Sequence, residues 1–309
     1  MGTYTVQDTW FSLPASSAAQ LSALFAQAAT KLLEQIVTIV VSPLTGDEGA
    51  HICPTEGLGQ PIDLSIMALA GQIAVVTGAS RGIGRGVALQ LGAAGATVYV
   101  TGRPPSQSDS SKDQSLPNLE KTAREVSERG GKGIAVYVDH SNMDEVKKFF
   151  ERIEHDENGR LDILVNNAYA AVMNFIETHG KTFYECPPEM WDEVNNVGLR
   201  NHYYCSVYAA RMMVRNGSGL IVNISSAGGL RYLFSVPYGV GKQALDRMAG
   251  DMAEELKTKN VCVVSIWPGA VRTELITNVF ISEGAEKGKS KLTEMFERGE
   301  TPEYQVKLS

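Results

Sequence analysis

Short, unbroken apolar runs rich in β-branched residues alternate along this chain with longer stretches whose apolar positions recur every three or four residues. The first pattern is that of strands buried on both faces, the second that of helices with one buried side. Strands are predicted over 72–76 (QIAVV), 96–103, 133–140, 161–170, 219–229 and 261–271. Helices are predicted over 82–95, 143–159, 190–217 and 238–260. Gly95 and Gly217 stand where helix stops are expected. Strands alternating with helices predict an α/β fold with a doubly wound parallel sheet flanked by helices. Ligands in such folds gather at the carboxyl ends of the strands.

The first such end carries TGASRGIG (77–84). Its glycines sit between a predicted strand and a predicted helix. Glycine tolerates positive φ and lets the backbone approach a ligand closely. A helix N-terminus presents N–H groups and a positive dipole end to an anion. Gly78, Gly82 and Gly84 therefore read as a cradle for a pyrophosphate. The second strand ends in Arg103, and no acid follows before Asp109. A dinucleotide whose ribose 2′-OH is free wants an acid at that place. Arg103 with Arg81 suits a 2′-phosphate instead, in charge and in geometry, which predicts NADP(H) rather than NAD.

Further along, Tyr238 and Lys242 lie four apart in a predicted helix, on one face. A nearby ammonium favours the phenolate, so Lys242 is expected to lower the Tyr238 pKa toward neutrality and make a usable acid/base. Ser225 and Ser226 leave the fifth strand 13 and 12 residues earlier. A hydroxyl there can hold a substrate oxygen. No histidine follows His202 and no GxSxG elbow occurs, so a serine hydrolase triad has no support.

Composition adds boundaries. The chain has 309 residues, 43% hydrophobic and 20% charged, with a net charge of −7. That is the composition of an ordinary globular protein, with no basic stripe for nucleic acid. The four cysteines are scattered, as in a chain kept reduced in a cytosol-like compartment. The five histidines have no metal-ligand spacing, no apolar run reaches transmembrane length, and the first residues lack the basic n-region expected of a signal peptide. The sequons at Asn216 and Asn223 read as chance.

TGASRGIG, NNA (166–168), ISS (224–226), YGVGK (238–242) and PG (268–269) occur together in the order of the short-chain dehydrogenases/reductases. The chain resembles that family from about Met67 to Leu275, roughly two thirds of its length. The resemblance implies a Rossmann-type sheet and an NADP(H)-dependent reductase or dehydrogenase. Its substrates would be hydrophobic carbonyls, such as steroid or xenobiotic ketones and aldehydes. It implies that Tyr238 is the acid/base, and that Lys242 tunes it and holds the nicotinamide ribose. Either Ser226, which the SAGG pattern favours, or Ser225, at the usual separation, would orient the substrate. Ser80 and Ile83 would join the glycines and Arg81 at the cofactor. Asp139 would bind the adenine amino group, and Asn166 and Ala168 would line the groove. Pro268, Gly269, Val271 and Thr273 would hold the nicotinamide side. The family's catalytic asparagine corresponds to Asn196 or Asn195, with Asn196 preferred. The family also implies possible homo-oligomers, and a location in the cytosol or at the cytoplasmic surface of the endoplasmic reticulum.

Two regions depart from the family. Residues 1–66 form an extension outside the resemblance, with helical apolar spacing over 18–41. It suits an interaction helix or a tail without function better than a membrane-surface helix, since it has few basic residues. After WPGAVRTEL only 34 residues remain, so residues 67–309 are expected to form a C-terminally shortened domain without the last strand. That leaves a catalytically weak dinucleotide-binding or interaction protein as the alternative to an active oxidoreductase.

Overall fold

The computed structural model describes residues 68–105, 117–172, 174, 178, 180–277, 296 and 298–302. The extension, the boundary at 66/67 and the expected missing strand lie outside these residues. Six strands run in chain order as β1 (Ile73–Val76), β2 (Thr97–Gly102), β3 (Lys132–Tyr137), β4 (Ile163–Asn166), β5 (Gly219–Ile224) and β6 (Val261–Ile266). They form one sheet in the order β3-β2-β1-β4-β5-β6, and every pair is parallel. The order reverses between β1 and β4, which is the switch point of a doubly wound, Rossmann-type sheet.

Alternation along each strand sends side chains to two separate cores. Ala74, Val76, Val98, Val100 and Val165 face α1 (Gly82–Ala93) and α2 (Leu119–Glu128), against Leu89, Leu91 and Val126. Val75, Tyr99, Leu164 and Ile221 face the other way. They meet α3 (Met143–Asp156) through Phe149 and Ile153, α5 (Asn201–Asn216) through Met212 and Met213, and α6 (Val236–Leu256) through Ala249.

Two features differ from the periodicity. Helix α2 follows a segment of weak pattern and was not predicted. Asn118 caps it by accepting a hydrogen bond from the Lys121 N–H at 2.8 Å, and only Leu119, Thr122, Ala123 and Val126 are buried. The predicted single helix over 190–217 is broken. Helix α4 (Met190–Asn195) ends in a wide turn, Asn196–Arg200, before α5 begins. Val197 and Gly198 leave helical geometry there, Gly198 with φ 143°. The Ala170 N–H takes the Val197 carbonyl, and the Asn201 side chain accepts from the Gly198 N–H at 2.7 Å. Tertiary hydrogen bonds thus replace helical ones at a glycine that tolerates the dihedral.

The opposite, amino-terminal edge of the sheet is tied by Asp162. Its backbone bridges β1 and β5, and its buried carboxylate accepts from the Ile73 N–H at 2.8 Å and from Arg160 at 3.0 Å. Asp162→Ala leaves the Ile73 donor unpaired. We expect a loss of about 2 kcal/mol, read as a melting temperature lower by about 4–8 °C. An unchanged melting temperature would show that this tie contributes nothing.

Candidate active site

The carboxyl ends of β1, β4, β5 and β6 converge on one cleft edge. After β1 the chain turns at Gly78, φ 66°, packed directly on Ala168. A Cβ on Gly78 would stand 2.7 Å from the Ala168 Cα, and one on Gly84 would overlap the Asn167 amide and the Gly78 carbonyl. The turn must therefore be glycine for two reasons, dihedral and space. Asn167 stitches it to β4: its amide donates to the Thr77 carbonyl at 2.8 Å and to the Gly78 carbonyl at 3.0 Å. Thr77 reciprocates, its hydroxyl accepting from the Asn167 and Ala168 N–H groups.

Helix α1 starts with no side-chain cap from Arg81. The Gly82 N–H instead donates to the Glu274 carboxylate at 2.8 Å. An anion already seated on this N-terminus shows that it is competent for a negative oxygen. Thr273 lies beside Gly82, and its hydroxyl caps α7 (Glu274–Ile276) by accepting from the Ile276 N–H. Ser80 and Ile83 are half-buried in the turn, while Arg81 and Arg103 are exposed at its rim. Arg103 acts on Asp139. Burial raises the Asp139 pKa, but hydrogen bonds from Ser141 and the Arg103 charge outweigh it and hold the carboxyl below its usual value. The glycine cradle at the N-terminus of α1 fits a dinucleotide diphosphate, with the two arginines exposed beside it.

Asn166 is placed differently from the expectation that it lines a groove. It is wholly buried, and its amide donates to Ser206 and Asn223, each at 2.9 Å, within the sheet–α5 interface. Val271 is likewise buried and pairs with Glu300. Gly269 is exposed and Pro268 half-buried, after β6.

Tyr238 and Lys242 are on the first turns of α6, capped by the Ser235 hydroxyl, which accepts from the Tyr238 N–H. Both are buried, at 8% and 7% exposure. Tyr238 is hydrogen-bonded to the Ser226 side chain. Ser225 is turned away, its hydroxyl donating to the Lys242 carbonyl at 3.1 Å. The Lys242 ammonium donates to the Ile224 carbonyl at 2.9 Å and lies 5.9 Å from the Tyr238 ring centroid. Burial pushes Lys242 down to about 8, with Asp246 pulling the other way.

The expected lowering of Tyr238 is not what the structure gives. Burial raises the Tyr238 pKa and outweighs the opposing hydrogen bond from Ser226. The phenol is therefore protonated at neutral pH, a proton donor rather than a standing phenolate. The two candidate asparagines part company. The Asn195 amide reaches α6, donating to the Pro237 carbonyl at 3.4 Å, and its oxygen lies where a Gly241 side chain would be. The Asn196 oxygen accepts from Arg200 at 3.0 Å on an exposed face.

Sequence reasoning passed over Tyr169 and Phe234. Their rings meet the Tyr238 ring edge-on, with centroids at 6.2 and 5.1 Å. Phe234 has φ 62°, an uncommon conformation for a bulky side chain. The one available signal for Tyr169 was its place directly after NNA, at a strand exit. Among the described residues no His, Cys, Asp and Glu cluster suits a metal, and no helix is long and apolar enough to cross a membrane.

The family model described as short chain dehydrogenase matches residues 72–284. A mouse protein, dehydrogenase/reductase SDR family member 1, is 50% identical over 239 residues, 77% of this chain and 73% of that protein. Its human counterpart is 54% identical over 206 residues, 67% of this chain, so the chain spans 62% of that relative's length. The crystal structure of a metagenomic short-chain oxidoreductase in complex with NADP superposes with a TM-score of 0.55 at 32% identity, covering 66% of this chain and 85% of that one. Sheet order, glycine turn and the match over most of the described residues agree: the chain belongs to the short-chain dehydrogenase/reductase family.

Proposed function

We propose that this protein is an NADP(H)-dependent oxidoreductase that reduces hydrophobic carbonyls, with steroid or xenobiotic ketones and aldehydes as the substrate class. The observation that carries the reading is the buried Tyr238 phenol, hydrogen-bonded to Ser226 and set one helical turn before the buried Lys242. When bound, the dinucleotide supplies a hydride. Gly78, Gly82 and Gly84, with Arg81 and Arg103, would hold its phosphates, and Lys242 its nicotinamide ribose.

The remaining chemistry belongs to the side chains. Ser226 offers its hydroxyl to the substrate oxygen and polarises it as negative charge develops. Tyr238 gives that oxygen its proton. Lys242 stabilises the phenolate left behind, and does so while it is charged, which holds below about pH 8. Ser225 keeps α6 docked on β5 through the Lys242 carbonyl. The rings of Tyr169 and Phe234 keep water from the phenol and offer apolar contact. Leu230 and Tyr232, exposed on the loop between Ser226 and α6, extend that apolar surface and suit a large hydrophobic substrate. The NADP complex of the metagenomic relative supports the cofactor class.

Two experiments test this reading. NADPH is expected to bind about 100-fold more tightly than NADH, the scale of two charge-assisted contacts to one phosphate. Arg103→Asp should remove most of that preference, and equal wild-type dissociation constants would refute it. Separately, Tyr238→Phe should lower kcat for carbonyl reduction at least about 100-fold while NADPH still binds. Ser226→Ala should cut kcat more than Ser225→Ala, whose first effect is on stability. A Tyr238→Phe protein working at the wild-type rate would falsify the assignment.

A further inference from the structure

The cation beside Tyr238 has an unusual neighbour. The Lys242 ammonium lies over the ring of Tyr169, 4.9 Å from its centroid. The same ring meets the Tyr238 ring edge-on. Its own position is fixed from behind by the break between α4 and α5. A Cβ added to Gly198 would stand 2.6 Å from the Tyr169 Cδ2, so the ring occupies the space a side chain at 198 would need. The Ala170 N–H bond to the Val197 carbonyl anchors the loop that carries the ring to the same break. The helix break, the glycine within it and the aromatic residue after NNA thus form one arrangement, with the ring face presented to Lys242.

A buried ammonium needs compensation on every side. Helix α6 supplies Asp246 at a distance and Tyr238 nearby, and β5 supplies the Ile224 carbonyl. Helix α5 supplies His202, whose imidazole burial and Lys242 itself keep neutral, with a pKa near 3. The Tyr169 phenol is also neutral, burial holding its pKa well above the usual value. Asp246 divides its carboxylate between Ser265 and the Trp267 indole N–H. Among the described residues two ring faces meet the cation, Tyr238 at 5.9 Å and Tyr169 at 4.9 Å, so the π face of Tyr169 is the nearer one, and such a contact is strongest where water is excluded.

We propose that Tyr169 is a positioning residue of the active site: its ring face holds the Lys242 ammonium in its charged form beside Tyr238. This rests on the Tyr238–Lys242 chemistry proposed above, but its test needs neither cofactor nor substrate. The ring, not the hydroxyl, is the working part. Phenylalanine should replace it, whereas an aliphatic residue or a fluorinated ring, whose face is no longer negative, should not.

The experiment is an NMR titration of the full, isotopically labelled chain without ligand. It follows the Nζ–Cε signal of Lys242, identified by its loss in Lys242→Met. In Tyr169→Phe the Lys242 midpoint should stay within about 0.3 pH units of wild type. In Tyr169→Leu, and with a ring-trifluorinated phenylalanine at 169, it should fall by about one unit. The fluorinated ring keeps the shape, so it decides the matter if Tyr169→Leu fails to fold. A midpoint unmoved by fluorination overturns the proposal, and so does a Tyr169→Phe midpoint that falls as far as the fluorinated one. Because the titration precedes any turnover, a protein that reduces no carbonyl can still sustain or defeat it.

Discussion

A lysine buried at 7% exposure on the second turn of α6 is the constraint around which the site is arranged. A charge taken out of water must be met by fixed partners, and removing those partners leaves it uncompensated. Lys242 finds one in the Ile224 carbonyl at the end of β5 and another in the Tyr169 ring at the exit of β4. Its own carbonyl receives the Ser225 hydroxyl. These contacts dock α6 across two neighbouring strand ends, and with that docking done the place of Tyr238 is decided. It stands one turn earlier, against Ser226, with aromatic rings on two sides.

The second cluster is the glycine turn after β1. Its close approach to Ala168 and its hydrogen bonds from Asn167 join it to β4 at the switch point of the sheet. The two clusters meet within the segment 166–169, whose four residues divide three tasks. Asn166 faces the interior and binds α5, Asn167 and Ala168 hold the turn, and Tyr169 faces Lys242. Glu274 closes the far side, its carboxylate on the Gly82 N–H.

Local patterns carried much of this in the sequence. Apolar β-branched runs marked all six strands; the central ones are buried on both faces and leave little room for anything else, while β3 at the sheet edge keeps the pattern though none of its residues is fully buried. The glycines of 77–84 were legible because a tight strand-to-helix turn demands them. Tyr238 and Lys242 were legible because helical spacing puts them on one face. What escaped notice depended on contacts between distant segments. The helix break at Gly198 is invisible to periodicity, because the loop after β4 causes it. The same holds for Tyr169, whose role exists only opposite Lys242. Helix α2 buries Leu119, Thr122, Ala123 and Val126 at helical spacing, but with threonine and alanine at two of the four places the stripe carries little large apolar surface. The sign of the Tyr238 shift depended on burial, which a pair of residues four apart does not reveal.

In the proposed reaction Tyr238 gives its proton to an oxygen whose carbon receives hydride from the dinucleotide. Those two atoms are distinguishable by isotope. NADPH carrying deuterium at the transferable nicotinamide position should be incubated with the protein and an aromatic or steroid ketone, and the alcohol analysed by mass spectrometry. One deuterium is expected on the carbinol carbon, with a hydroxyl hydrogen that exchanges with solvent. An alcohol formed without carbon-bound deuterium, or no alcohol across a broad ketone and aldehyde panel, would contradict the proposed reaction.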